Sequence, residues 1–372
     1  MRRILLVGGG SGGHVFPLVA VADALKESAL KQNKEVEIIL LGEGGFFEDA
    51  TKAGGFRCKK IFAGKFRRYL SLTTLLDFFK MIAGFFQSFW HMFWIMPDIV
   101  FLKGGYASFF PALAAKFFFI PIFVHDSDSV SGSTNRLIGK WAKKVFVSFD
   151  SAKKYFSVEK VELVGNPSRK KLFAGNKDEA LSFFKFSDSS PIVIISGGSQ
   201  GAKKVNNVVI NSIIQLIQNF QVIHQCGEKN YNQIKQAIER IAKEQGDTIA
   251  EQIKNRYRLY AFLSEQELTM AYAVGDVFVS RAGAGSLFEI SALGKPAIVI
   301  PIKKSAQNHQ HFNAVEFSKF GGVVLEEENL ITSVFVNEIK EAYEKRMELG
   351  QKIKLFARMD AAEKIAQEIL KG

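Results

Sequence analysis

Residues 4–14, ILLVGGGSGGH, and residues 191–202, PIVIISGGSQGA, share one plan: a short apolar run, a glycine turn, then a helical pattern. Glycine directly after a buried strand lets the backbone turn tightly and come close to a ligand. The helix that follows offers free N–H groups and a partial positive charge to phosphate. Val15, Leu18, Val19, Ala22 and Leu25 fall on one face of the first such helix, with Pro17 expected in its first turn. Two openings of this kind predict two nucleotide-binding-type domains facing each other across a cleft.

Other apolar runs extend the pattern. Strands are predicted at 4–7, 36–41, 99–102, 121–124, 145–147 and 161–164, and again at 191–195, 221–224, 258–262, 277–280, 296–300 and 323–325. They are mostly β-branched and barely alternate, as parallel strands buried on both faces do. Strands alternating with helices give a doubly wound α/β fold. At 372 residues the chain exceeds what one core usually fills. The stretch LVGNPSRKKLFAGNKDEA, 163–180, reads as the linker. The expected division is 1–165, 166–350 and a last helical segment, 351–372, packing back on the first domain. The tail from about Phe335 reads as helical and charged, divided at Gly350.

Composition narrows the function. Apolar residues at 47% and charged residues at 23% suit a globular protein. Cys58 and Cys226 lie far apart with no C-x-x-C, which argues against a disulfide framework or zinc site and for a reducing compartment. The apolar stretch after MRR is too short for a signal peptide. A formal net charge of +12 favours an anionic partner. Lys and Arg are spread along the chain without a recognised nucleic-acid module, so no nucleic-acid partner is expected.

Residues 67–98, RRYLSLTTLLDFFKMIAGFFQSFWHMFWIMPD, are the most aromatic part. Their charge-free run as far as Pro97, Met81–Met96, is 16 residues, short of the roughly 20 a spanning helix needs. Either a helix pair packs inside the first domain, or an exposed Phe/Trp face also lies in a lipid interface beside Lys65, Arg67 and Arg68. The basic cluster and two tryptophans favour the second, with Phe85, Phe89 and Trp90 against an anionic membrane surface.

The glycine loops admit more than one chemistry. Gly8, Gly10 and Gly13 satisfy G-x-G-x-x-G, and Glu43 ends the second strand, so an NAD(P)-linked oxidoreductase is an alternative. The second loop, 197–201, has the same context without that spacing. A third element, SRAGAGSLFEISALGKPAIVIP at 280–301, puts Glu289 on a helix after a glycine turn. Glu289 either closes a capping box with Ser286 or accepts from both hydroxyls of a ribose. His14, at the mouth of the first loop, can take a proton from a sugar hydroxyl, donate to phosphate, or merely pack.

Taken together, GGSGGHVFP, GGYAS, GNPSR, GGSQGA, the 280–301 element and NHQHFNA resemble, in order and spacing, the MurG family of GT-B-fold glycosyltransferases. The resemblance runs from about residue 4 to 320. It implies inverting transfer of N-acetylglucosamine from UDP-GlcNAc to undecaprenyl-diphospho-muramoyl-pentapeptide at the cytoplasmic face of the cell membrane, with no obligatory metal. Ser199 and Arg169 then meet the donor phosphates, a backbone group of Leu263 reads the uracil edge, Glu289 holds the ribose, and Gln310 the sugar hydroxyls, with Asn313 close by. Ser11, Gly12 and Gly13 face the donor sugar and the acceptor diphosphate; Gly10, Gly104, Gly105 and Tyr106 line the acceptor side. His14 and Asp126 are the catalytic candidates. The family's H-E-x-N is here His125-Asp126-Ser127-Asp128. Asp128 thus replaces an asparagine that contacts the donor sugar, and accepts where Asn can also donate. The same residues spell D-x-D, for which a bound divalent ion is the alternative reading. Neighbouring readings are a GT-B transferase acting on diacylglycerol or another polyprenyl lipid, and a non-catalytic membrane-surface protein.

Overall fold

A computed structural model describes residues 1–10, 12–63, 72–186, 189–303 and 306–371. Ser11, Lys65, Arg67 and Arg68 lie outside them. The chain divides into two compact units, Met1–Arg169 with Arg358–Gly372, and Lys170–Ala357.

In the first unit the strands are β1 (Arg2–Val7), β2 (Val36–Gly42), β3 (Arg57–Lys60), β4 (Ile99–Leu102), β5 (Ile122–Asp126), β6 (Lys144–Val147) and β7 (Val161–Leu163). All pair in parallel in the order β3-β2-β1-β4-β5-β6-β7. The intervening helices are α1 (Gly12–Lys31), α2 (Gly45–Ala53), α3 (Leu72–Ile95), α4 (Phe109–Phe117) and α5 (Ser133–Trp141). Ile4 and Leu6 pack towards α1, whereas Leu5 and Val7 pack with Met92, Ala112 and Ile138 on the opposite face. With both faces covered, β1 cannot alternate, and its continuous apolar run follows.

The strand β3 is absent from the expected set. Its sequence, RCKK, is charged and largely exposed because it forms the sheet edge. Arg57 reaches Glu37 of β2 at 2.7 Å. Charge on an edge discourages further pairing, and it also removes the hydrophobic signature by which strands are read. Pro17 is the sixth residue of α1, hence in the second turn rather than the first, because the helix already begins at Gly12.

The second unit contains α6 (Lys177–Phe184), β8 (Ile192–Ser196), α7 (Lys203–Asn219), β9 (Gln221–Gln225), α8 (Glu228–Gln245), α9 (Asp247–Arg256), β10 (Tyr257–Tyr260) and α10 (Glu265–Val274). It continues through β11 (Val277–Ser280), α11 (Ala284–Leu293), β12 (Ala297–Val299), α12 (His309–Ser318), β13 (Val323–Val324), α13 (Thr332–Glu344) and α14 (Arg346–Lys354). Its parallel sheet runs β10-β9-β8-β11-β12-β13. In each sheet the order reverses beside the first strand, at β1/β4 and at β8/β11. The loops leaving the carboxyl ends there form the usual binding crevice of open α/β sheets.

The charged tail breaks differently from expectation. Gly350 lies inside α14, and the interruptions fall at Lys345 and after Lys354. A Cβ on Gly350 would sit 2.3 Å from the Gly294 carbonyl oxygen, so this glycine lets α14 approach the end of α11. The last helix, α15 (Ala361–Lys371), belongs to the first unit, where Ala362, Ile365, Ala366 and Ile369 join the core beside α1. Lys34 and Arg2 donate to the Leu370 carbonyl at 3.0 and 3.2 Å, cations placed at a helix C-terminus.

Beneath the second sheet, His224 is fully buried between two polar partners. Asn206 donates its amide to the Cys226 carbonyl at 3.0 Å, so its Oδ1 accepts from His224 Nε2–H, also at 3.0 Å. His224 Nδ1 then accepts from the Tyr257 hydroxyl at 2.7 Å. Burial lowers the imidazole pKa to about 3. Below the unfolded value near 6.5 the unfolded chain binds a proton that the folded chain refuses, so stability falls as pH drops. The loss should reach about 2 kcal/mol between pH 7 and pH 5. Urea unfolding at the two pH values should show this for the native chain and a flatter dependence for His224→Asn; identical slopes would remove His224 from the acid response.

Candidate active site

In the first unit, three chain segments leave the carboxyl ends of β1, β4 and β5 side by side. The first glycine loop is fixed by backbone bonds from Gly8 N–H to the Leu41 carbonyl, 3.1 Å, and from Gly10 N–H to the Glu43 carbonyl, 3.3 Å. Glu43, the acidic residue of the dinucleotide reading, thus serves this loop through its main chain. Gly12 is buried, Gly13 exposed, and His14 half-buried in the first turn of α1. The His14 ring faces the second glycine turn: a Cβ on Gly105 would lie 3.3 Å from its Nε2. Tyr106 leans over Gly10 in the same sense, its hydroxyl 2.7 Å from a Cβ there. Gly104 has φ +84°, and a side chain on it would strike Asn135 of α5 at 2.4 Å. Only glycine permits that packing. The structure therefore brings Gly10, His14, Gly104, Gly105 and Tyr106 together as one surface.

Beneath it lies a charged cluster. Asp126, the last residue of β5, is 3% exposed, and Lys103, just past the end of β4, is 1% exposed. Lys103 N–H donates to the Val7 carbonyl at 2.8 Å, and its ammonium donates to the Ser127 hydroxyl, which donates to Asn166 Oδ1 at 2.9 Å. The Asp128 N–H reaches Asp126 Oδ1 at 3.5 Å, whereas Asp126 Oδ2 is buried without a hydrogen-bond partner among the described residues. Burial pushes the Asp126 carboxyl up to about 6; Asp128 adds to the rise, and Ser131, Lys103 and Asn135 oppose it. Burial likewise draws the Lys103 ammonium down to about 8, against the pull of Asp126 and Asp128. His125 is held neutral by burial and by the Lys103 charge, and its Nε2–H donates to the Gly165 carbonyl at 2.9 Å, away from this surface.

Lys103 is absent from the residues expected from sequence. Its signal was a lysine closing the apolar run IVFL directly before Gly-Gly, a cation where a buried parallel strand ends. Arg169 was expected to fall in the second domain. It is the last residue of the first unit, and its guanidinium lies 3.8 Å from the centroid of the Phe16 ring of α1, beside the first loop.

On α3 the exposed face comprises Phe79, Ile82, Phe86, Trp90, Phe93 and Trp94. Phe85 and Phe89 turn inward, with ring centroids 5.9 Å from Phe110 and 5.4 Å from Phe117. Of the three aromatics expected at a lipid surface, Trp90 lies on the outer face, 63% exposed. Helical spacing about Met92 and Ser88, both fully buried, accounts for the rotation. No helix of the described residues is long and apolar enough to cross a membrane.

The second unit builds its own site. Ser199 is exposed in the loop Gly197–Gly201, where Gly198 takes φ +83°. Gln225, buried at the end of β9, donates to the Gly198 carbonyl at 3.1 Å and to Ser196 Oγ at 3.3 Å, and accepts from Leu263 N–H at 3.0 Å. One amide thus joins the glycine loop to Leu263, and the Leu263 N–H is committed within the chain. Gln225 was legible only as a polar residue ending a buried strand. Glu289 is not a cap: α11 begins at Ala284 after Gly283, so Ser286 and Glu289 both lie within the helix. Its Oε2 instead accepts from the Tyr272 hydroxyl at 2.7 Å. The S-x-x-E cap is realised at Ser264 and Glu267. Gln310 accepts from Ile302 N–H at 3.1 Å, and Asn313 donates to the Ala282 carbonyl at 3.1 Å, which ties α12 to the glycine turn after β11.

Comparison with known proteins places this chain in a family. The glycosyltransferase family 28 N-terminal domain matches residues 4–147, and the family 28 C-terminal domain residues 192–369. The UDP-N-acetylglucosamine–N-acetylmuramyl-(pentapeptide) pyrophosphoryl-undecaprenol N-acetylglucosamine transferase of Clostridium tetani is 33% identical over 348 residues, 93% of this chain and 91% of the relative. Its counterpart in Legionella pneumophila strain Paris is 34% identical over 365 residues, covering 97% and 94%.

This chain belongs to the MurG family.

Membership makes the protein a UDP-sugar glycosyltransferase and sets the oxidoreductase reading aside. Acinetobacter baumannii MurG superposes with a TM-score of 0.71 at 21% identity, with both chains covered fully. A Neisseria meningitidis UDP-GlcNAc 2-epimerase bound to UDP-GlcNAc has the same GT-B architecture, TM-score 0.66 at 15% identity and full coverage of both chains. The fold therefore hosts more than one reaction, and the MurG assignment rests on sequence identity rather than on shape.

Proposed function

We propose that this MurG-family chain transfers N-acetylglucosamine from UDP-GlcNAc to the muramoyl sugar of undecaprenyl-diphospho-MurNAc-pentapeptide, with inversion, as a step of peptidoglycan synthesis. The observation that carries this reading is identity above 30% along nearly the whole chain to transferases of that name. The donor belongs to the second unit. Ser199 and the backbone of the 197–201 loop meet its diphosphate ahead of α7, the Leu263 carbonyl reads the uracil, Glu289 the ribose and Gln310 the sugar. The acceptor diphosphate belongs to the surface of Gly10, Gly12, Gly13, Gly104, Gly105 and Tyr106, with Arg169 as a nearby cation.

Asp126 takes the proton. An acceptor hydroxyl oxygen bonds to the anomeric carbon as the bond to the UDP oxygen breaks; the hydroxyl proton passes to the Asp126 carboxylate, and UDP departs with the electron pair. A carboxylate raised to about 6 by burial is a stronger base than an exposed one and is still ionised at neutral pH. His14, in the first turn of a helix, donates to the acceptor diphosphate. Asp128, an acceptor only, suits the acetamido N–H of the donor sugar. The test is UDP release from labelled UDP-GlcNAc with the undecaprenyl acceptor, against UDP-glucose, UDP-galactose and a diacylglycerol acceptor. Preferential transfer from either other donor, or to diacylglycerol, would replace the proposal with the lipid-transferase alternative.

The aromatic face of α3 is the proposed membrane contact. Phe86, Trp90 and Trp94 stand exposed, as do Phe117 and Phe119, with the exposed Lys80 and Lys116 on the same two helix–loop segments. Apolar rings inserted among headgroups with lysines beside anionic lipid describe peripheral binding. Replacing Phe86, Trp90 and Trp94 with serine should weaken co-sedimentation with anionic vesicles about tenfold or more, whereas Phe85→Leu, on the inward face, should not. Equal binding by the triple variant would reject this face.

A further inference from the structure

Lys103 has no part in the reaction described above, yet a lysine buried to 1% exposure needs a reason. Desolvating an ammonium costs several kcal/mol unless partners repay it. Its hydrogen-bond partner is a neutral hydroxyl, Ser127 Oγ, so that bond alone does not balance the charge. The balance comes from Asp126 and Asp128, two carboxylates separated by one residue at the end of β5, both close enough to act on the lysine electrostatically. Those carboxylates also repel one another, in a corner that, on the reading above, must receive a diphosphate. Without a cation the site would resist both its own ionisation and its substrate. We infer that Lys103 is a positioning residue whose ammonium neutralises Asp128 and, through Ser127, fixes the 126–128 turn so that Asp126 stays ionised and aimed at the acceptor.

The geometry supports both halves of this assignment. β4 and β5 are neighbours in register, Leu102 opposite Val124, so a residue just beyond β4 emerges beside the end of β5. The lysine main chain is pinned to Val7, and the Ser127 it holds is pinned in turn to Asn166. The D-x-D triplet therefore already faces a positive charge supplied by the chain. The other titratable groups around the cluster are His125, held neutral, and His14 on α1.

The experiment is a charge-balanced double substitution in the full chain: Lys103→Met, Asp128→Asn and both together, assayed for GlcNAc transfer and for thermal midpoint. Lys103→Met should lower kcat about tenfold to thirtyfold and move the acid limb of the pH profile upward by at least half a unit, because Asp126 loses its cation. The double variant should regain at least fivefold of that rate and return the acid limb towards its original position; Lys103→Arg should keep the limb in place. A double variant no faster than Lys103→Met overturns the proposal, as does Lys103→Met within threefold of the native rate. If Lys103→Met does not fold, recovery of a native thermal midpoint in the double variant is the expected result, and no recovery overturns it. The inference rests on the transferase reading, but the two fail differently: a native enzyme that transfers no GlcNAc rejects the function, while the thermal rescue is measured without substrate.

Discussion

Asp126→Asn is expected to lower kcat by two to four orders of magnitude while the KM for UDP-GlcNAc stays within a few-fold. The amide has nearly the shape of the carboxylate, so packing at the end of β5 survives and the loss is of proton acceptance, which is typically worth that range. The pH dependence follows from the same residue. Its carboxyl is raised to about 6, so the ionised, active form is depleted as pH falls through that value, and the rate should decline tenfold per unit below it. Above it the acid limb should be flat. The Asn variant should have no such limb, and Asp126→Glu should retain a limb with a reduced rate because the longer side chain misplaces the oxygen. A fall in kcat of less than threefold would transfer the proton-accepting role to His14. In that case His14→Ala would remove the acid limb, instead of chiefly raising the KM for the acceptor as expected of a residue that donates to its diphosphate.

The parts of this molecule that could be read from its sequence are those where a residue's type and its burial agree. The runs ILLV and IVII are apolar because both faces of each sheet are covered, and their positions were visible for that reason. β3 was not, since an edge strand of Arg, Cys and two Lys advertises solvent rather than a sheet. The glycine turns after β1, β4 and β8 were legible because positive φ and close approach demand glycine, whereas Gly283 and Gly285 after β11 have no positive φ and no neighbour that a Cβ would meet. Gly350 misled for the same reason: a glycine that serves packing within a helix looks like one that ends it. On α3 a run of Phe and Trp announced an aromatic surface, yet its orientation depends on Ser88 and Met92 facing inward, which a charge-free sequence does not disclose.

The candidate sites divide along similar lines. Backbone-determined positions such as Gly104, Gly105 and the 197–201 loop form the turns after β4 and β8, because local conformation fixes them. Side chains whose role depends on a distant partner were harder. Lys103 acquires its meaning from Asp126 and Asp128 across the sheet, Gln225 from Leu263 across a strand, and Glu289 from Tyr272 on another helix. Local pattern alone suggested a capping box at Ser286 and Glu289; where α11 begins is a tertiary matter, and it decides against the cap.

Glu289→Ala is expected to raise the KM for UDP-GlcNAc by about a hundredfold to a thousandfold, with a much smaller effect on kcat and on the acceptor. A carboxylate accepting from two ribose hydroxyls makes two charge-assisted bonds of roughly 1.5–3 kcal/mol each, and about 3–4 kcal/mol of lost ground-state binding corresponds to that range. Tyr272 donates to Oε2 at 2.7 Å, which fixes the carboxylate rotamer. Tyr272→Phe should therefore raise the same KM about three- to tenfold, leaving the acceptor KM unchanged. A donor lacking the ribose 2′-hydroxyl separates contact from mere support. It should bind the native enzyme about tenfold or more weakly than UDP-GlcNAc, while Glu289→Ala should scarcely distinguish the two, since the partner of that hydroxyl is already gone. An equal penalty in both enzymes would mean that Glu289 does not touch the ribose and serves only as an acceptor for Tyr272 inside the second unit.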